Sequence, residues 1–135
     1  MPGVTAIGEQ PLADVAAHAL IDLGSDEYTR GRPHPMIEPA IRDEPLQQAL
    51  ADPKCAVVLV DLVLGYGAHE DPAAVLSAVV KAAGNEAAPV VASVTGTNQD
   101  PQERDQSIAT LEAAGITVAE SNAAAAACVA QFMVG

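Results

Sequence analysis

Four apolar runs in this chain have the length of strands and are continuous rather than alternating: HALIDLG (18–24), CAVVLVDLVLG (55–65), PVVASVTG (89–96) and GITVAES (115–121). A strand that is apolar at successive positions has both faces covered, which points to a parallel sheet packed between helices. The segments between the runs carry helix signals. RDEPLQQALAD puts Leu46, Ala49 and Leu50 on one face, with Pro45 in the first turn and Pro53 beyond the end. DPAAVLSAVVKAAGN offers Asp71 as N-cap, Pro72 at the first helical position, a stripe of Val75, Val79 and Ala82, and a stop at Gly84-Asn85. DPQERDQSIATLEAAG repeats the device with Asp100 and Pro101, then Ile108, Leu111 and Ala114, and a stop at Gly115. NAAAAACVAQFMV follows the last strand as a fourth helix. Short connections between alternating strands and helices predict an α/β protein, a flavodoxin-like doubly wound parallel sheet in a three-layer αβα sandwich with a single domain. That domain covers 18–135. Residues 1–17 read as an N-terminal extension, with TAIG as an edge strand or PLADVAAHA as a short helix.

Composition removes several classes of function. A formal net charge of −12 repels phosphate backbones, and the three aromatics, Tyr28, Tyr66 and Phe132, cannot form a base-stacking platform. Nucleic acid is therefore excluded as a partner. The apolar runs fall short of the roughly 20 residues a membrane helix requires, so no membrane association is expected. Cys55 and Cys128 lie in apolar surroundings without metal-ligand spacing, and the N-terminus does not resemble a signal peptide. The expected setting is cytoplasmic, and no metal site is expected.

In an open α/β sheet, ligands bind outside the carboxyl ends of the strands. The loops there would be GSDEYTRGRPHPMIEP, GYGAHED, TGTNQDP and ESNA. They gather Arg30, Arg32, His34, His69, Thr95, Gly96, Thr97, Ser121 and Asn122 on one rim. Pro33 and Pro35 stiffen the first loop around Arg32 and His34, which suits a small anion; the structural alternative pairs the arginines with nearby acids. TGTNQDP precedes a helix N-terminus, whose free N–H groups favour a carboxylate or phosphate, although it lacks the spacing of a Walker or dinucleotide motif. His34 and His69 are the candidate acid–base groups. Asp61, within a strand expected to be buried, and Asp22, late in the first strand, need partners to offset the cost of desolvation. Neither a nucleophile–base pair nor a metal spacing is visible.

The strings GRPHPMI, LGYGAH and VTGT-x-x-DPQ, in that order within residues 18 to the end, resemble the C-terminal domain of the FdrA protein family, relatives of the succinyl-CoA synthetase α chain. The resemblance implies a CoA-ligase-like flavodoxin fold. Family members are usually longer, with a preceding CoA-binding-like Rossmann domain, so it also implies a partner protein supplying that half, a homo- or hetero-oligomer, and CoA only in the partner's presence. In the synthetase α chain a loop bearing a phosphorylated histidine lies between the TGT-like turn and the next helix. Here TGTNQDPQERDQ runs straight into that helix and no histidine follows His69. FdrA-type proteins have been linked to oxamate carbamoyltransferase, and carbamoyl phosphate and oxamate are both small anions.

Three readings follow. The first is a subunit of a carbamoyltransferase, with Arg30 and Arg32 on the anion, His34 orienting or protonating, and the Thr95–Thr97 turn as cradle. The second is a CoA-ligase-related subunit binding CoA or an acyl phosphate. The third is a non-catalytic interaction module with GRPHPMI as an interface loop.

Overall fold

The computed structural model describes residues 4–7, 18–21, 23, 30–31 and 33–134. Its elements are β1 (Val4–Ile7), β2 (His18–Ile21), a 3-10 turn (Pro39–Arg42), α1 (Asp43–Ala51), β3 (Val58–Val63), α2 (Pro72–Ala83), β4 (Val90–Thr95), α3 (Arg104–Ala113), β5 (Thr117–Ala119) and α4 (Asn122–Val134). The strands β3, β4 and β5 form one parallel sheet in that order, with Val58 beside Val90, Val63 beside Thr95, and Val91 beside Thr117. This is the α/β sandwich expected of the apolar runs.

Alternate residues of β3 and β4 build its two interfaces. Val60, Leu62, Leu64, Val90, Ala92 and Val94 face α1, α2 and α3, where they join Leu46, Leu50, Leu76 and Leu111 in one buried cluster. Val91 and Ser93 point the other way, beneath α4, where Ala125 is also buried. Burial on both sides explains why β4 is apolar at nearly every position.

Local signals predicted the helix ends well in two cases. The Asp71 carboxylate accepts from the Ala74 amide at 3.0 Å, Pro72 opens α2, and Gly84 ends it at φ 82°. Asp71→Ala should lower stability by about 1 kcal/mol, read as a shifted urea midpoint with unchanged slope. The end of α3 is a Schellman motif: the Gly115 amide donates to Glu112 O and the Ile116 amide to Leu111 O.

Three expectations are corrected. The first apolar run does not extend the main sheet; β2 pairs in parallel with β1, Val4 beside His18 through Ile7 beside Ile21, as a separate two-stranded sheet. The buried face of α2 is Ala73, Leu76, Ser77 and Val79, with Val75 half-buried and Ala82 exposed. A helix of Ala and Val offers several equivalent apolar stripes, and contact with α3, where the Ser77 hydroxyl donates to Thr110 O, selects one. Finally, α3 begins at Arg104 rather than at Pro101, because Asp100 turns back onto Thr97 and Gln102 turns inward. Of the candidate helix PLADVAAHA, residues 11–17 lie outside the described residues, as do Asp22 and Arg32, while His18 and Ala19 belong to β2. No described helix is long and apolar enough to cross a membrane.

Candidate functional site

The loops after β3 and β4 are wired together at the carboxyl edge by one side chain. Gln102, buried at 8% exposure, accepts from the Gly65 amide at 3.1 Å and donates to Gly65 O at 2.9 Å and His69 O at 3.0 Å. Both polar ends of the amide are thus satisfied, and the GYGAH turn is held on the DPQ segment. At the end of β4, Gly96 lies at φ 154°, and an added Cβ there would stand 2.7 Å from the Leu64 Cβ. Thr95, exposed, accepts through its carbonyl from the Leu64 amide.

The Thr97 turn contains its own anion. The Asp100 carboxylate accepts from the Thr97 amide at 2.6 Å and from its hydroxyl at 3.4 Å, while the Thr97 hydroxyl accepts from the Gln99 amide. The first turn of α3 is capped by Asn98, whose Oδ1 accepts from the Asp105 amide and whose Nδ2 donates to the Asp105 carboxylate, each at 2.8 Å. The donors that sequence offered to a ligand are therefore largely engaged within the turn.

The GRPHPMI loop docks on GYGAH through Met36. The Met36 amide donates to His34 Nδ1 at 3.1 Å, and Met36 O accepts from the His69 amide at 2.9 Å. The Met36 Cε lies 3.5 Å from where a Gly65 Cβ would stand. His69 Nδ1 in turn accepts from the Asp71 amide at 3.0 Å, next to the cap of α2. An imidazole nitrogen that accepts from a backbone N–H is unprotonated, which leaves Nε2 of each ring as its donor. His34 is exposed and His69 half-buried, and Arg30 is exposed.

Asp61 departs from expectation. It is exposed rather than buried, because it lies on the face of β3 that α4 leaves open. Its carboxylate accepts from the Ser93 hydroxyl at 2.5 Å and from Asn122 Nδ2 at 2.7 Å, tying β3, β4 and the start of α4 together. Among the described residues neither an arginine side chain nor a backbone amide serves that carboxylate; the Arg42 guanidinium donates instead to the Asp61 carbonyl at 3.2 Å. Burial pulls the Arg42 pKa down, with Asp43 beside it acting in the opposite sense. Ser121 caps α4, its hydroxyl accepting from the Ala124 amide. Of the candidate residues, then, His34 and His69 share one docked pair of loops, Asn122 belongs to the Asp61 cluster, and Ser121 is engaged in a helix end.

Sequence reasoning read Asp100 as a helix cap and passed over Gln102, Asn98, Ser93 and Arg104 as parts of the site. The last donates to Val94 O and Glu120 O, clamping the ends of β4 and β5. Gln102 stands in the polar run DPQERDQ, where no local signal sets it apart.

Among the described residues no His, Cys, Asp and Glu group could hold a metal ion. The described cations also fit the phosphates of CoA poorly. Arg42 and Arg104 are spent on backbone carbonyls, and Lys54 and Lys81 follow α1 and end α2, at the opposite edge of the sheet. Of the described cations, Arg30 alone belongs to the loops at the carboxyl edge.

A family profile described as CoA-ligase matches residues 6–132. The chain is also 38% identical over 111 residues to the uncharacterized protein YahF of Escherichia coli (strain K12), an alignment covering 78% of this chain and 22% of YahF. It spans about a fifth of the length of that curated relative. With the parallel αβα sandwich and a match across nearly all its length, the chain belongs to the CoA-ligase family.

Proposed function

We propose that this domain works within an FdrA-type assembly, where its carboxyl edge holds a small anion for carbamoyl transfer of the carbamoyl phosphate and oxamate kind. The observation that carries the reading is the paired state of His34 and His69. Each spends Nδ1 on a backbone N–H, in two loops joined at Met36, and so presents Nε2–H as a donor. A phosphoryl-accepting histidine needs an unprotonated nitrogen free to attack. Two such donors, with Arg30 four residues before His34 in the chain, are suited instead to orient an anion and steady its charge. In the transfer, the amide nitrogen of oxamate bonds to the carbamoyl carbon, the carbon–oxygen bond to phosphate breaks, and the displaced proton leaves with phosphate.

Replacing both rings by asparagine keeps an acceptor for each backbone N–H and removes the Nε2 donors. The full chain should bind carbamoyl phosphate without acquiring a phosphoryl group by intact mass. H34N/H69N should weaken that binding by about a hundredfold in calorimetry, given roughly 1.5 kcal/mol for each of two hydrogen bonds to a charged group. A phosphorylated histidine, or binding indifferent to the double substitution, would overturn the assignment.

The family match favours a second reading, a CoA-ligase-related subunit that takes CoA or an acyl phosphate together with a further polypeptide. CoA binding that appears only when such a polypeptide is added would favour it over the first.

A further inference from the structure

The geometry points to a two-state clamp at the start of α3. In the arrangement of this structure Gln102 holds the GYGAH turn; in the other, Pro101–Glu103 join α3 as its first turn and let GYGAH go. The inference rests on a conflict between a local signal and the backbone. Asp100, Pro101, Gln102 and Glu103 spell a helix start: an aspartate to cap, a proline for the first helical position and, three residues after the cap, a glutamate to close a capping box. The helix nonetheless begins at Arg104.

Glu103 carries the strain of that delay. With φ 51° and ψ 109° it is the one non-glycine residue at positive φ among the described residues, and its ψ lies outside the small left-handed helical region as well. Such a backbone persists only where its surroundings over-determine it. Here they do so from both sides. Before it, the Gln102 side chain bonds to Gly65 and His69, and Gln102 O, which a longer helix would pair with the Gln106 amide, accepts instead from the Ser107 hydroxyl at 3.1 Å. After it, the Arg104 amide donates to Thr97 O at 3.2 Å and the Arg104 Nε to Val94 O at 3.3 Å. The Asp100 carboxylate, which would cap the longer helix, is held meanwhile by the Thr97 amide.

Each arrangement gives up what the other keeps. The observed one keeps Gln102 on the loop after β3 and Asp100 on the Thr97 turn, with Glu103 strained between them. The longer helix relaxes Glu103, takes Asp100 as its cap, and frees the Gly65 amide, Gly65 O and His69 O. The Glu103 side chain is exposed, so no packing of its own holds it in place. A ligand that binds GYGAH only while Gln102 holds it draws the chain to the observed arrangement, and opening of the clamp releases it. That consequence rests on the proposed anion-binding role of His34 and His69; the two arrangements do not.

NMR of the full chain tests the two arrangements without any ligand. Gln102→Ala removes the side chain that holds the turn and favours helix. The Cα shifts of Pro101–Glu103 should then move to helical values, while the Val58 amide, bonded to Pro89 O, stays protected and shows that the sheet persists. Shifts in Q102A that stay non-helical would overturn the second arrangement. Glu103→Gly removes the strain and should slow exchange of the Gly65 amide by about fivefold or more, whereas Glu103→Ala, which keeps the Cβ, should not. Equal Gly65 exchange in the parent and E103G would overturn strain as the source of opening. Carbamoyl phosphate should also slow the Gly65 amide of the parent. Its failure to do so, with the variants behaving as expected, would overturn the coupling to the anion and leave the clamp standing.

Discussion

Gly96→Ala is expected to cost about 2–6 kcal/mol, combining roughly 1–3 kcal/mol each for backbone strain and overpacking. At φ 154° an L side chain is strained, and the new Cβ would stand 2.7 Å from the Leu64 Cβ, 3.1 Å from its Cδ1 and 3.0 Å from the Asp100 carboxylate. The carboxylate could swing away; the Leu64 Cβ cannot, because it is fixed to the backbone of the segment leaving β3 and its side chain is buried at 5% exposure. The main chains after β3 and β4 would have to separate, loosening both loops of the candidate site. Set against a typical domain stability of about 5–15 kcal/mol, the variant should be poorly folded or melt far below the parent. Gly67→Ala is the control. Its φ is 83° with nothing within 4 Å, so it should show the backbone penalty alone, about 1–2 kcal/mol. Equal losses for the two variants would remove the close approach as the reason for Gly96.

Gln102→Leu should be nearly as damaging, for a different reason. Leucine approximates the volume but leaves the Gly65 amide, Gly65 O and His69 O without their side-chain partner. An unsatisfied buried polar group costs about 1–3 kcal/mol, and partial access of water to the loop should hold the total to about 2–4 kcal/mol. Thermal and urea unfolding measure the loss. If the GYGAH turn is the anion's support, binding of carbamoyl phosphate should fall by more than the folded fraction does. Glutamate is the informative second substitution: it restores an acceptor for the Gly65 amide but cannot donate to the two carbonyls. A Gln102→Glu variant as stable as the parent would show that the two carbonyl contacts contribute nothing.

Elements were legible where their signals are local. The cap of α2 by Asp71 and Pro72, its end at Gly84, and the end of α3 at Gly115 follow from residues within one turn of the boundary. The same kind of signal misled at Asp100-Pro101, because an aspartate before a proline can cap a helix or turn back on the preceding loop. Here the Thr97 amide took the carboxylate. Asp61 was legible as a residue in need of partners, but the partners come from β4 and α4, and its exposure depends on which part of the sheet α4 covers.

By itself the sequence determined the fold class, since unbroken Val, Leu and Ala runs between capped helices leave a parallel sheet covered on both faces as the available arrangement. It also determined which loops share an edge, because every parallel strand must leave the sheet at the same end. Only the tertiary structure decided what those loops hold. Gln102 reaches a glycine 37 residues away and Asn122 an aspartate 61 residues away. Contacts over such separations are set by strand register and helix placement, so they leave no periodic trace along the chain.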